Sequence, residues 1–252
     1  MNQLKRPDYP IDFFSLNRLK PMLQSEGVVL LRKVLSPNRL NFWRERFVEA
    51  WQATEARLLA GEMTESELLN YYRFGHPMLR FLPDLNDWLD LLFGQIAMKN
   101  ILRTLIGPQV LVMGSVALPR IVFAQHSERA LPYHQDYEYI GPVKQAVNLW
   151  IPLSAAGGQH PGLELWQGSP QEAQLVHGQP EEVRQAILAQ APAEAWWQPE
   201  MKPGDILIFT TYTVHRTYIT PEMSGERVSY ELRVCPESDR QFTQSAMLER
   251  RV

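Results

Sequence analysis

Apolar residues recur at helical spacing through the first part of the chain and in short alternating or continuous runs through the rest. Ser36-Pro37 supplies an N-cap followed by proline at the first helical position, and an amphipathic run continues from Asn38 to about Leu59, with Gly61 as its stop. Thr64 and Glu67 have capping-box spacing ahead of Leu68, Leu69 and Tyr72. A third helix is predicted from about Asn86 to Leu105, closed by Gly107-Pro108. From Val110 the character changes. Short β-rich runs occupy Val110 to Val116, Arg120 to Phe123, Gln145 to Leu153, Leu163 to Trp166, Ile206 to Thr211 and Val228 to Val234, with Pro, Gly and Asn between them. A helical stretch at roughly Pro180 to Gln190 interrupts them. Helices first and antiparallel strands after predict a mainly β fold with flanking helices, a β-sandwich or jelly roll with the helices packed on one sheet.

Neither a repeat nor a long linker divides the 252 residues, so a single domain is expected, helix-rich over 1–108 and with its β core over about 110–235. A composition of 45% hydrophobic and 21% charged residues is that of a folded globular protein. The formal net charge of -3 and the scattered basic residues argue against a nucleic-acid partner. The one cysteine, Cys235, excludes an intramolecular disulfide and a cysteine zinc cage. With no apolar run long enough to span a bilayer, and no apolar core in Met1 to Pro10, a cytoplasmic protein without a membrane partner is expected, as monomer or homodimer.

The chemistry concentrates at two places. Leu131-Pro132-Tyr133-His134-Gln135-Asp136-Tyr137 contains an H-x-D pair, which on a strand would turn imidazole and carboxylate to the same side. Alone the pair is weak, because six histidines and eight aspartates give roughly 0.2 such pairs by chance. The second place comes much later. Pro203-Gly204-Asp205 makes a turn, Ile206 to Phe209 reads as a buried strand, and His215 follows near the start of the next extended run. Two histidines and a carboxylate are the facial triad of non-haem iron(II) enzymes, which leaves positions for a bidentate 2-oxo acid and for dioxygen. Arg227 would supply a fork of donors for the far carboxylate of that acid, and a hairpin turning near Glu222 would set Thr217 opposite it. The plainer reading makes Arg227, Ser229, Glu231 and Arg233 one solvated strand face; Arg233 is the fallback cation if Arg227 is not the one used.

These segments together resemble the phytanoyl-CoA dioxygenase family of iron(II)/2-oxoglutarate oxygenases. The resemblance runs from Glu26 to Val234. It is carried by Glu26-Gly27-Val28-Val29-Leu30-Leu31-Arg32 with Leu35-Ser36-Pro37, by His134-Gln135-Asp136, by Asn148 to Leu153, by Gly162 to Leu165 with Gly168-Ser169, and by Pro203-Gly204-Asp205, His215 and Arg227. It implies a double-stranded β-helix (a cupin-like jelly roll) and metal ligation by His134, Asp136 and His215. It also implies that Trp150 and Thr217 lie beside 2-oxoglutarate, with Asn148 on the same strand face as Trp150. The implied activity couples decarboxylation of 2-oxoglutarate by dioxygen, giving succinate and carbon dioxide, to hydroxylation of an aliphatic C–H bond in a small organic molecule, as in secondary metabolism. Desaturation, cyclisation and epimerisation share those cofactors. Where the family often has Ser-His, this chain has Ser169-Pro170; relatives with Gly or Ala at the carboxylate position halogenate, so Asp136 implies oxygen transfer.

Other side chains have a structural reading beside a functional one. Tyr71, Tyr72, Phe74, Tyr133, Tyr137 and Tyr139 either wall a substrate pocket or fill the core, and Arg73 and Arg120 either meet a substrate carboxylate or form ordinary ion pairs. His76, His126 and His177 lack partners at ligand spacing, His160 reads as a surface residue of a Gly-rich loop, and Trp196-Trp197 reads as an edge cover. Ser127 to Leu131 and Gly157 to Pro161 are candidate lids. The competing classes are a zinc or manganese enzyme on a similar barrel, and a non-catalytic β-sandwich binding protein in which the H-x-D pair and the distal histidine are coincidental.

Overall fold

The structure is a computed structural model that describes residues 5–64, 67, 85–113, 118–141, 143, 145–176, 178–242 and 247–252. Tyr71, Tyr72, Arg73, Phe74, His76 and His177 lie outside them. The helices are α1 (Leu19–Glu26), α2 (Pro37–Leu59), α3 (Leu85–Phe93), α4 (Ile96–Leu105), α5 (Tyr137–Ile140) and α6 (Glu181–Leu188). The strands are β1 (Asp8–Pro10), β2 (Val28–Arg32), β3 (Gln109–Met113), β4 (Leu118–Phe123), β5 (Val147–Pro152), β6 (Gly162–Trp166), β7 (Trp196–Trp197), β8 (Ile206–Thr210), β9 (His215–Tyr218), β10 (Glu226–Pro236) and β11 (Met247–Arg251). An eight-stranded sheet runs β1-β2-β8-β5-β10-β3-β11, with β4 also paired to β10, and a three-stranded sheet runs β7-β6-β9. The pairings are antiparallel apart from β1 with β2.

Local signals set the helix ends. Pro37 opens α2 with Ser36 as its extended N-cap residue, and Gly61 adopts the left-handed φ of 71° just past its end. The Thr64–Glu67 capping box is closed in both directions: Glu67 Oε2 accepts from Thr64 N at 2.8 Å, and Thr64 Oγ1 accepts from Glu67 N at 3.3 Å. The single helix expected over Asn86 to Leu105 is two. It breaks at Gly94, where a Cβ would stand 2.7 Å from the Asp90 carbonyl, and Gln95 leaves the ladder to accept Ser36 N through its side chain.

The large sheet is buried on both faces, which is why its strands read as near-continuous apolar runs. Alternate residues go opposite ways. Val29, Leu31, Val147, Leu149, Ile151, Ile206, Ile208, Val228, Tyr230, Leu232 and Val234 join Leu40, Trp43, Phe47, Trp88, Leu89 and Leu92 in the helix-side core. Val28, Leu30, Trp150, Leu207 and Phe209 face the small sheet and pack on Leu163, Leu165 and Trp197. At about 1.5–3 kcal/mol per fully buried aliphatic side chain, the helix-side layer carries most of the stability. The inner face of β10 can therefore hold Arg227, Ser229, Glu231 and Arg233. The solvated-strand reading of that face fails: Arg227 and Ser229 are each 1% exposed. No helix among the described residues is long and apolar enough to cross a membrane.

Candidate metal centre and co-substrate cavity

His134 and His215 meet through their backbones. They form an isolated antiparallel bridge, His134 N to His215 O at 2.9 Å and His215 N to His134 O at 3.1 Å, which puts both imidazoles on one side with ring centroids 4.2 Å apart. The H-x-D pair does not lie on a strand ladder as expected. His134 makes this single bridge, and Asp136 is already in αR conformation as the residue before α5. Convergence is kept because Gln135 points away into a polar socket. Its amide donates to Tyr212 O and Glu172 O and accepts from Gln174 N and Leu175 N. Asp136 makes no side-chain capping bond to its helix, so its carboxylate is available to other partners.

The three side chains place their ligand atoms within 4.8 Å of one another. His134 Nδ1 lies 2.8 Å from Pro132 O and His215 Nδ1 lies 3.0 Å from Thr213 O, so each Nδ1–H is held by a carbonyl and each Nε2 lone pair is directed at the shared space. His134 Nε2 is 3.8 Å from Asp136 Oδ1, and His215 Nε2 is 3.7 Å from Oδ2. Burial, with His215 beside it, pushes the His134 pKa down to about 3, so this ring is neutral, the form in which an imidazole can bind a metal. Burial alone would raise the Asp136 pKa; Arg233 and the two histidines more than reverse this and hold it below the usual carboxylate range. Asp136 Oδ2 is buried with no hydrogen-bond partner among the described residues. A neutral His134, the inward Nε2 of His215 and an ionised carboxylate with one oxygen to spare suit a divalent ion that prefers nitrogen and oxygen donors.

Arg233, the fallback co-substrate cation, has a different task here. Its Nη2 donates to Asp136 Oδ1 at 2.7 Å and stands 3.3 Å from Glu231 Oε1. Sequence alternation had found the shared face; the partner 97 positions away was not legible. Arg233→Met is expected to leave Asp136 as an uncompensated buried anion and to cost about 3–5 kcal/mol in the metal-free protein. A bound divalent ion should recover part of that loss. Denaturant titrations with and without the metal check this, and equal losses would reduce Arg233 to a packing role.

Arg227 reaches across the cavity, from the large sheet to the small one. Its Nη1 donates to Gly162 O at 2.8 Å, and its guanidinium carbon lies 5.2 Å from the centroid of the Trp150 ring. Burial, aided by Arg120, lowers its pKa to about 9, and no carboxylate pairs with it among the described residues. The expected hairpin between Thr217 and Arg227 is not formed. β9 pairs with β6, setting Thr217 opposite Leu163, whereas β10 pairs with β4 and β5, setting Arg227 opposite Val122. Both are tied to β6 at adjacent positions, Arg227 through Gly162 O and Thr217 through its pairing with Leu163. Thr217 shares its strand face with His215, two residues away. Asn148 is fully buried opposite Arg233 and Phe209, and neither atom of its amide has a partner among the described residues. Phe209 packs 4.8 Å from the His215 ring, so Asn148 belongs to the same cavity.

The remaining candidates separate cleanly. Tyr133 turns outward, its hydroxyl donating to Glu164 at 2.5 Å, and Tyr137 stacks on Tyr212. Only Tyr139 of the three stays with the site, edge-on to His134 and 47% exposed at its rim. Trp196 and Trp197 form the edge strand of the small sheet, as expected. His126 pairs with Glu128, and His160 packs against Gly225. Of the candidate lids, Gly157 to Pro161 is a tight turn closed by His160 N to Gly157 O, and Ser127 to Leu131 begins inside a 3-10 helix.

Residues 23–219 match the model of the phytanoyl-CoA dioxygenase (PhyH) family. The 1-deoxypentalenic acid 11-beta-hydroxylase of Streptomyces arenae is 32% identical over 117 residues, which covers 42% of this chain and 41% of that enzyme. The structure of EctD from S. alaskensis with 2-oxoglutarate and 5-hydroxyectoine superposes with a TM-score of 0.60 at 16% identity, over 88% of this chain and 77% of that one. The non-haem α-ketoglutarate-dependent carbocyclase SnoK, from nogalamycin biosynthesis, gives 0.57 at 15% identity, over 89% and 85%. The two solved structures support the jelly-roll fold. With the family model covering most of its length, the chain belongs to the phytanoyl-CoA dioxygenase family.

Proposed function

We propose that this protein is an iron(II)- and 2-oxoglutarate-dependent dioxygenase that hydroxylates an aliphatic C–H bond of a small organic molecule. One observation carries the reading. Two Nε2 lone pairs and an unpartnered, buried carboxylate oxygen converge, and an arginine without an anion spans the same cavity. The whole chain is taken as one oxygenase domain, cytoplasmic, monomeric or homodimeric, with no nucleic-acid or membrane partner. Its place in secondary metabolism is part of the same proposal, in line with a relative named for hydroxylating 1-deoxypentalenic acid.

His134, Asp136 and His215 would hold the metal, and Arg227, Thr217, Trp150 and Asn148 the co-substrate. The bound iron, 2-oxoglutarate and dioxygen would together supply the oxidising equivalent, with succinate and carbon dioxide released. The chain's own residues orient and exclude. Arg233 fixes Asp136 through Oδ1 and leaves Oδ2 for the metal. Arg227 would present its fork to the far carboxylate, backed by the face of Trp150. Phe209, Leu207 and Leu163 keep water from the inner wall. Cyclisation or epimerisation would use the same residues with a differently placed substrate.

A passive binding protein explains less. It would bury the Asn148 amide, Asp136 Oδ2 and Arg227 Nε without partners and gain nothing for the cost. Anaerobic titration of the iron(II)-loaded protein with 2-oxoglutarate tests the reading. A weak visible charge-transfer band is expected on chelation. Iron bound without that band would remove 2-oxoglutarate, and failure to bind iron would favour the passive protein.

A further inference from the structure

Arg120 is a cation in the same cavity that neither the metal centre nor the co-substrate uses. It lies on β4 directly opposite Ser229, between the register positions of Arg227 and Glu231, so it shares the inner face of the large sheet with both. Among the described residues its guanidinium has no hydrogen bond and no ion pair. The two carboxylates nearest in charge, Glu231 and Asp136, are both held by Arg233, at 3.3 and 2.7 Å. Burial, then the repulsion of Arg233, lowers the Arg120 pKa against the pull of Glu231, so the protein itself leaves this charge poorly compensated.

Charge counting gives the sign of what is missing. Among the described residues, the inner face around the proposed metal ligands carries Arg120, Arg227 and Arg233 against Asp136 and Glu231, a surplus of one positive charge. Adding a divalent metal and a dianionic co-substrate leaves that surplus unchanged. Arg227 is committed to the co-substrate's far carboxylate in the proposed reading. Arg120 is itself partly exposed, as are His134 and Tyr139, the latter 47%. A partly exposed cation that has no hydrogen bond or ion pair among the described residues adds little to the fold, which is expected of a binding group rather than a structural one.

We infer that Arg120 anchors the substrate, and that the substrate is a monoanion carrying a carboxylate. A planar carboxylate matches the guanidinium fork, and one negative charge neutralises the cavity. This assignment rests on the dioxygenase reading for the task of Arg227.

The test uses the iron(II)- and 2-oxoglutarate-loaded protein under anaerobic conditions, titrated calorimetrically with acid and amide pairs: cyclohexanecarboxylate with its primary amide, and decanoate with decanamide. At least one acid should bind tenfold or more tightly than its amide, and Arg120→Gln should erase the preference. Its affinity for 2-oxoglutarate should stay within twofold of wild type and its melting temperature should not fall. Arg120→Lys keeps the charge, should retain part of the preference, and serves if the glutamine variant does not fold. Equal binding of acid and amide, or no binding by either acid, overturns the assignment. So does a tenfold loss of 2-oxoglutarate affinity in Arg120→Gln, which would make Arg120 a co-substrate ligand. Failure of the dioxygenase reading is visible separately, as no charge-transfer band in the wild type. The same acid and amide comparison on the iron-loaded protein then still decides Arg120.

Discussion

His215→Ala is expected to lower iron(II) affinity by on the order of 10³-fold and to abolish 2-oxoglutarate turnover. Loss of groups that merely orient metal ligands costs about 10–100-fold, and His215 is proposed as a ligand itself. It is the more deeply set of the two histidines, 3% exposed, with Nδ1 tied to Thr213 O and its ring packed on Phe209. The fold should survive. β9 is held by backbone pairing to β6, and the bridge to His134 is also made by backbone atoms. Truncation should therefore cost about 1–3 kcal/mol of stability, the ordinary range for losing a buried side chain. The cavity left beside Phe209 has the shape of the lost ring, so free imidazole should restore part of the iron binding. Anaerobic iron titrations with and without imidazole measure both effects. Iron binding at wild-type affinity in His215→Ala would place the metal elsewhere.

The sequence carried the strands and the triad for different reasons. Runs such as Ile206 to Phe209 are legible because both faces of the large sheet are covered, so both sets of side chains must be apolar. His134, Asp136 and His215 were legible from residue type and order, yet the geometry that joins them is not the strand the spacing suggested. A single backbone bridge and a turn do the work, with Gln135 pinned in its socket. Long-range pairing was beyond reach. Nothing local to Glu222 says that β9 leaves for the small sheet while β10 stays in the large one, so Thr217 and Arg227 lie in different sheets instead of within one hairpin. The same limit hid the bond from Arg233 to Asp136. Period-two alternation identifies which residues share a face; it does not tell whether that face meets water or a second sheet.

Arg227→Met should raise the dissociation constant for 2-oxoglutarate by about 10²–10³-fold while leaving iron(II) affinity close to wild type. The estimate follows from what the far carboxylate would lose. Charge-assisted hydrogen bonds contribute about 1.5–3 kcal/mol each, and a carboxylate left unpaired in a buried site costs about 3–5 kcal/mol. Iron should be spared because Arg227 bonds Gly162 O and lies over Trp150, and makes no contact with a proposed ligand among the described residues. Arg227→Lys keeps a charge but loses the planar fork, so it should lie between, at roughly tenfold. The ligand-free protein gives an independent sign. Among the described residues Arg227, 1% exposed, has no anion beside it and its Nε has no partner, so Met should raise the melting temperature of the apoprotein. Saturating 2-oxoglutarate should stabilise wild type and fail to stabilise the Met variant, since only a ligand that binds the native state can shift the transition. Thermal melts of both proteins with and without 2-oxoglutarate read all of this in one experiment. A variant less stable than wild type yet still stabilised by 2-oxoglutarate would show Arg227 to be a structural cation, and the anchor for the co-substrate would have to be sought at Arg120.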